Sequence, residues 1–172
     1  MKTAITLLEL LVVIALVGII AGVGWPNLVG WNCRQEHRND FERFNHFLKE
    51  VQSVAINRNK TTLVRVTPSP QNSNSLGTLK AYLLQNKSCT TSRAQSLENE
   101  IPTYYFHKES ELKTEHNRNQ CFYADGSADY NTFTLRRSCG GKNLLYRIQM
   151  FAATGLISKE KFNFKKNTWE DL

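Results

Sequence analysis

Few side chains in this sequence have the types and spacing that catalysis or metal binding needs. The four histidines lack the spacing of metal ligands, and no glycine-rich phosphate loop, nucleophile elbow or zinc signature is present. These histidines are His37, His46, His107 and His116. Asp125 and Asp129 are a weak calcium-ligand pattern, and a turn aspartate is the favoured interpretation because Asp125 precedes Gly126. We therefore expect no enzymatic activity, no cofactor and no metal site.

The cysteines carry the clearest covalent chemistry. There are four of them, and none forms a CxxC pair, which favours disulfide bonds in an exported domain. They are Cys33, Cys89, Cys121 and Cys139. Of the three possible connectivities we favour Cys121 with Cys139, which would close a hairpin around Asp125-Gly126, and Cys33 with Cys89. Four unpaired buried thiols are the alternative.

Glu9 is a carboxylate in an otherwise apolar segment. The stretch from Ile5 to Trp25 is interrupted by Thr6 and Glu9 alone, and as a helix it would be about 31 Å long, close to the thickness of a bilayer core. A secretory signal has a more basic start and a shorter apolar core, whereas here one Lys precedes the segment and the segment ends in Gly-Val-Gly-Trp-Pro, so a secretory signal is disfavoured. A single-pass anchor is the simple interpretation. It leaves Glu9 unexplained, because a carboxylate in lipid needs a partner and no cation lies at helical spacing.

The sequence from Ala4 to Val13, AITLLELLVV, resembles the signal and anchor of type IV pilins and pseudopilins. The resemblance implies that a prepilin peptidase cuts between Ala4 and Ile5 and methylates the new amino terminus at Ile5. Glu9 is then the fifth mature residue and Pro26 the twenty-second, both at positions typical of pilins. The departures are Ala4, where the family usually has Gly, and a leader of only four residues.

This resemblance implies an assembly role for Glu9, whose carboxylate would neutralise the amino terminus of a neighbouring subunit. It also implies a division into a leader (1–4), a hydrophobic transmembrane and assembly helix (5–30) and a periplasmic head (31–172). The implied partners are other minor pilins and the major pilin, the prepilin peptidase, the inner-membrane assembly platform and the membrane. The implied location is the bacterial inner membrane, with a single pass and the head in the periplasm, followed by a pilus at the cell surface.

The body of the chain is predicted from hydrophobic periodicity. Apolar residues recur every three or four positions from Phe41 to Ala55, which indicates an amphipathic helix over about 31–57. From 61 to 158 the period approaches two, which indicates strands, and 159–172 read as a basic tail. We therefore expect an α+β fold, with a long amino-terminal transmembrane and amphipathic helix packed on a mainly antiparallel sheet. The expected strands are Thr62–Val66, Leu79–Leu84, Thr103–Phe106, Gln120–Tyr123, Phe133–Arg137, Leu144–Phe151 and Gly155–Ser158.

Length and composition agree with one exported domain. The chain has 172 residues, 41% of them hydrophobic, with 22 basic and 15 acidic side chains. These values disfavour a disordered chain, and the presence of one long apolar stretch excludes a multi-span membrane protein.

A second, narrower resemblance lies in the carboxy-terminal half. FYADGS at Phe122–Ser127, then FTL, YRI and ATGLI at Ala153–Ile157, resemble the GspH/FimT/FimU family of minor pilins and pseudopilins. The resemblance implies a minor pilin, a structural subunit that primes type IV pilus assembly and sits at or near the tip. A minor pseudopilin of type II secretion is the first alternative.

A DNA-binding minor pilin of natural transformation is the second alternative. The segment from Asn131 to Thr168 holds eight basic side chains against one acidic side chain, and such a segment could contact phosphates and stack on bases. The candidate DNA-binding residues are Arg136, Arg137, Lys159, Lys161, Lys165 and Lys166. A solvated face or a docking site for an acidic neighbour is the competing interpretation. The Gly-Arg-x-Arg pattern of DNA-binding relatives is missing, because Gly155 is followed by Leu156-Ile157-Ser158.

Overall fold

The structure is a computed structural model of the full chain. It describes residues 6–67, 77–85, 89, 94–107, 109–115 and 119–172, without the side chains of 20–29. The prepilin cleavage and methylation sites expected at Ala4 and Ile5 lie outside these residues. Pro26 lies within a helix, but its side chain is outside the description.

The chain begins with one long helix, α1, over Leu7–Arg58. The helix starts after Thr6, which caps its amino end, and stops at Asn59, whose φ of 51° is left-handed. Its apolar stripe is fully buried, as the spacing predicts, because this face packs against strands. The stripe consists of Phe41, Phe44, Leu48, Val51 and Ala55.

In the described part of the chain, ten strands follow and form two antiparallel sheets. In the first sheet the order is β3-β2-β1-β6, with β4 also paired to β2, and in the second the order is β10-β9-β8-β7-β5. The strands are β1 (Thr62–Thr67), β2 (Thr78–Leu84), β3 (Ala94–Ser96), β4 (Tyr104–Tyr105), β5 (Glu111–Thr114), β6 (Asn119–Phe122), β7 (Asn131–Cys139), β8 (Lys142–Met150), β9 (Ile157–Asn163) and β10 (Thr168–Asp171). Both sheets contribute to one core with α1.

The fold class expected from the sequence is wrong in two respects. The head holds two antiparallel sheets instead of one, because β6 joins β1 whereas β7 pairs with β5 and β8. In addition, within the described residues no helix is sufficiently long and apolar to cross a membrane.

The predicted disulfide pairing is also wrong. Cys33 bonds to Cys139, with Cα atoms 5.6 Å apart, and Cys89 bonds to Cys121, with Cα atoms 6.1 Å apart. The hairpin expected between Cys121 and Cys139 does not form, because Cys121 pairs with Leu63 of the first sheet and Cys139 ends a strand of the second. The bridge between Cys33 and Cys139 therefore joins α1 to the second sheet. The bridge between Cys89 and Cys121 joins Cys89, which follows β2, to β6 at the edge of the first sheet.

The carboxy-terminal residues 159–172 are not a tail. They form most of β9 and all of β10, in which Asn163 faces Thr168 and Phe162 faces Trp169. In β9 every residue except Lys161 is partly buried, and the basic composition of the segment obscures this strand in the sequence. The segment is therefore part of the folded head.

We predict that the bridge between Cys33 and Cys139 stabilises the fold more than the bridge between Cys89 and Cys121. The two bridges join residues 106 and 32 positions apart, and loop-closure entropy gives about 5 and about 4 kcal/mol as upper values. Urea unfolding of the two double-alanine variants checks the order. Equal losses, or a larger loss for Cys89→Ala/Cys121→Ala, would contradict it.

Candidate functional site

The amino end of α1 holds Glu9 in a capping box with Thr6. The Thr6 backbone N–H and hydroxyl donate to Oε2 of Glu9, at 3.0 and 3.1 Å, and the Glu9 N–H donates to Oγ1 of Thr6 at 3.3 Å. Glu9 thus has hydrogen-bonding partners in its own chain, and a cationic partner from another chain stays a prediction. The Thr-x-x-Glu spacing is the signal that could have predicted this contact.

The helix surface on both sides of Glu9 is exposed and apolar. Its large side chains are 50% to 77% exposed, which is unusual for a folded domain and typical of a surface that binds an apolar partner. They are Leu7, Leu8, Leu10, Leu11, Val12, Val13, Ile14, Leu16, Val17 and Ile19. We call this surface, Leu7–Ile19, the apolar arm. Gly18 lies within it, and a Cβ atom at this position would meet no heavy atom within 4 Å.

A buried carboxylate fixes the other half of α1 to the head. Asp40 is almost fully buried and accepts hydrogen bonds from the Tyr104 hydroxyl at 2.7 Å, the His107 backbone N–H at 3.2 Å and the Ser110 hydroxyl at 3.5 Å. Burial, together with Asp40, raises the pKa of Tyr104. Asp40 therefore holds the segment from β4 to β5 against the helix, a role that no motif in the sequence indicates.

A buried cation lies beside this anchor. Arg137 is 3% exposed and forms ion pairs with Glu36 of α1 at 3.1 Å and Glu109 at 2.8 Å. The ring of His37 is fully buried near Tyr146, with 5.1 Å between ring centroids. Burial and the Arg137 guanidinium lower the pKa of His37 to about 4, against the opposing influence of Asp40. His37 is therefore neutral at the contact between α1 and the second sheet.

Three of the six candidate DNA-binding side chains have acidic partners. Besides Arg137, Lys159 binds Glu42 of α1 at 2.9 Å and Lys166 binds Glu170 at 2.9 Å. Part of the basic charge therefore stabilises the contact between the helix and the second sheet.

The other three candidates, Arg136, Lys161 and Lys165, are exposed. Across the described ranges they form no salt bridge. Lys161 and Lys165 line one groove with aromatic residues. Of the six candidates, Lys161 and Lys165 are thus the two that lie in one groove and form no salt bridge with a described residue.

The grouping of Cys89, Cys121 and Asp129 resembles a metal-ligand set in distance alone. The two sulfur atoms are bonded to each other, and Asp129 accepts the hydroxyl hydrogen bond of Tyr123 at 2.8 Å. Burial and this contact raise the pKa of Tyr123 to about 12. Asp125 accepts two hydrogen bonds from Ser127, the arrangement of a turn aspartate. We therefore assign no metal to these residues.

We predict that His37 makes the protein less stable as the pH falls from about 7 to about 4. In this range the histidine of the unfolded chain, with a pKa near 6.5, binds a proton, whereas His37 of the folded protein does not. Proton binding therefore stabilises the unfolded state and lowers the free energy of unfolding. Urea unfolding at pH 7.5 and pH 4.5 measures the loss, which should be smaller in His37→Leu than in the unmodified chain. The control is His46→Leu, at an exposed position of the same helix, which should leave the loss of stability unchanged. A loss in His37→Leu as large as in the unmodified chain would contradict the prediction.

Comparison with known protein families, curated proteins and solved structures finds no match to this chain. The pilin resemblance therefore rests on the sequence motifs.

Proposed function

We propose that this chain is a minor pilin, a structural subunit that helps to prime a type IV pilus and lies at or near its tip. The observation that carries the proposal is the apolar arm, which is exposed along Leu7–Ile19, while α1 from Cys33 onward is fastened to a disulfide-bonded head. An arm of this kind gains stability when identical or related arms pack around it, because its apolar surface then leaves water.

Glu9 gives this packing its register. Its carboxylate lies within the first turn of α1, at the amino end of the apolar arm, in reach of Thr6. In a bundle of arms it would meet the amino terminus of a neighbouring subunit, and a charge pair in apolar surroundings fixes relative position more than it adds stability. The hydrogen bond from the Thr6 backbone N–H holds the carboxylate at this position.

The two disulfide bonds support a head that folds in an oxidising compartment such as the periplasm. The partners in this proposal are other minor pilins, the major pilin, the prepilin peptidase and the assembly platform. A minor pseudopilin of type II secretion would use the same arm and head, so the assembled fibre distinguishes the two functions. A DNA-binding subunit is less well supported, because Arg137, Lys159 and Lys166 are engaged by carboxylates.

We predict that Glu9→Gln removes the chain from pili without unfolding its head. Mass spectrometry of sheared fibres and of the cell envelope, in a strain that expresses each variant from its own gene locus, measures incorporation and abundance. The expected result is at least a tenfold loss from fibres with an unchanged amount in the envelope.

Thr6→Val is the matched control for this experiment. It removes the side-chain half of the capping box and keeps the Glu9 carboxylate, so assembly should persist. Normal incorporation of Glu9→Gln, or an equal loss in both variants, would contradict the role of Glu9. Absence of the unmodified chain from fibres, with the mature form abundant in the envelope, would favour the secretion pseudopilus.

A further inference from the structure

Strands β8 and β9 separate at one end of the second sheet. Their pairing runs from Met150 and Ile157 to Tyr146 and Lys161 and then stops. Strand β8 nevertheless begins at Lys142, and β9 continues to Asn163. The facing edges of these end segments are therefore not paired with each other.

The gap exists because the two strands have different partners at this end. The first residues of β8 stay with β7, where Lys142 faces Cys139, whereas the end of β9 stays with β10, where Asn163 faces Thr168. Between them lies a groove of about 590 Å³, which we call the fork groove. It is lined by Lys142, Asn143, Leu144, Lys161, Phe162, Asn163, Phe164, Lys165 and Glu170.

The fork groove is positively charged. In the part of the chain that the structure describes, Lys142, Lys161 and Lys165 form no salt bridge. Glu170 is the one acidic lining residue, and it already accepts from Lys166 and from Asn163, each at 2.9 Å. The lining of the groove thus holds three lysines and one carboxylate, which leaves an excess of positive charge.

The groove also has an ordered aromatic wall. The ring of Phe162 contacts those of Phe164 and Trp169, with centroids 4.9 and 5.1 Å apart. The Arg147 guanidinium lies 4.1 Å from the centre of the Trp169 ring and pairs with Glu160. Phe164 nevertheless remains 54% exposed, so a fixed apolar surface lies beside the lysines.

The backbone of β8 adds hydrogen-bonding groups. The β7–β8 hairpin turns through Gly140 and Gly141, whose φ values of 58° and 76° suit a two-residue turn that flanks a hydrogen-bonded pair. That pair is Cys139 and Lys142, and hydrogen bonding alternates along an antiparallel strand. The N–H and C=O of Asn143 therefore point away from β7, toward the fork groove.

We propose that the fork groove binds an extended acidic segment of a partner protein. The lysines pair with the carboxylates of the segment, Phe164 packs against its apolar side chains, and Asn143 bonds to its backbone. Exposed strand edges recognise peptides in this way, with alternate side chains giving the specificity. A nucleic acid is less favoured, because it has no peptide backbone to pair with the N–H and C=O of Asn143. The proposed binding site depends on the fork groove alone and does not depend on the pilin proposal.

Fluorescence anisotropy with the full chain in detergent micelles tests this proposal. The probe is a labelled eight-residue peptide of alternating Glu and Val, and the matched controls are the Gln–Val peptide, the Glu–Val peptide methylated at alternate backbone amides, and an eight-residue thymidine oligonucleotide. We expect the Glu–Val peptide to bind at least about tenfold more tightly than each control, a difference of about 1.4 kcal/mol.

The protein variants locate the site. Lys161→Gln/Lys165→Gln should weaken binding of the Glu–Val peptide about tenfold, whereas Lys49→Gln/Lys113→Gln, which removes the same charge elsewhere, should change it less than twofold. Circular dichroism should show both variants to be folded. Equal binding of the Gln–Val peptide, or equal effects of the two variants, would overturn the proposal. Tighter binding of the oligonucleotide would overturn it in favour of a nucleic-acid site.

Discussion

The structure depends on the burial of one face of α1 between two sheets. Phe44 is fully buried and makes edge contacts with Phe106 and with Phe133 of β7, and its ring is also near Tyr104 of β4. On the same face Phe41 stacks on Tyr146 of β8. Neither sheet has a second helix across its inner face within the described residues. The helix is therefore the element through which both sheets share one core.

Polar contacts fix the helix once this face is buried. Asp40 binds the segment that follows β4, and the bridge between Cys33 and Cys139 fastens α1 to the end of β7. Farther along, the Gln52 side chain donates to the carbonyls of Gly126 and Gly155, at 3.0 and 2.9 Å. A side chain at Gly155 would collide with the Gly126 carbonyl, so glycine is required there. These contacts fix α1 to the head from Cys33 onward, and the apolar arm is exposed at the amino end of the same helix.

Local patterns in the sequence predict the helix and the strands better than they predict which strands, cysteines and charged side chains pair with one another. The stripe from Phe41 to Ala55 and most strands can be read from periodicity, because burial of one face imposes it. The disulfide pairing could not be read, since it depends on β6 and β7 entering different sheets. The acidic partners of Arg137 and Lys159 could not be predicted either, because these carboxylates of α1 lie far away in sequence. The fork groove likewise depends on strand pairing, because the start of β8 pairs with β7 and the end of β9 pairs with β10.

The central claim is that one helix face unites the two sheets, and hydrogen exchange of Phe44→Ala tests it most directly. We expect the variant to lose about 3–5 kcal/mol of stability and amides of β1 and β7 to lose protection together, because both sheets lose the same contact. Phe164→Ala, which truncates an exposed aromatic ring, should leave both strands protected. Loss of protection in one sheet while the other keeps its full protection would contradict the account.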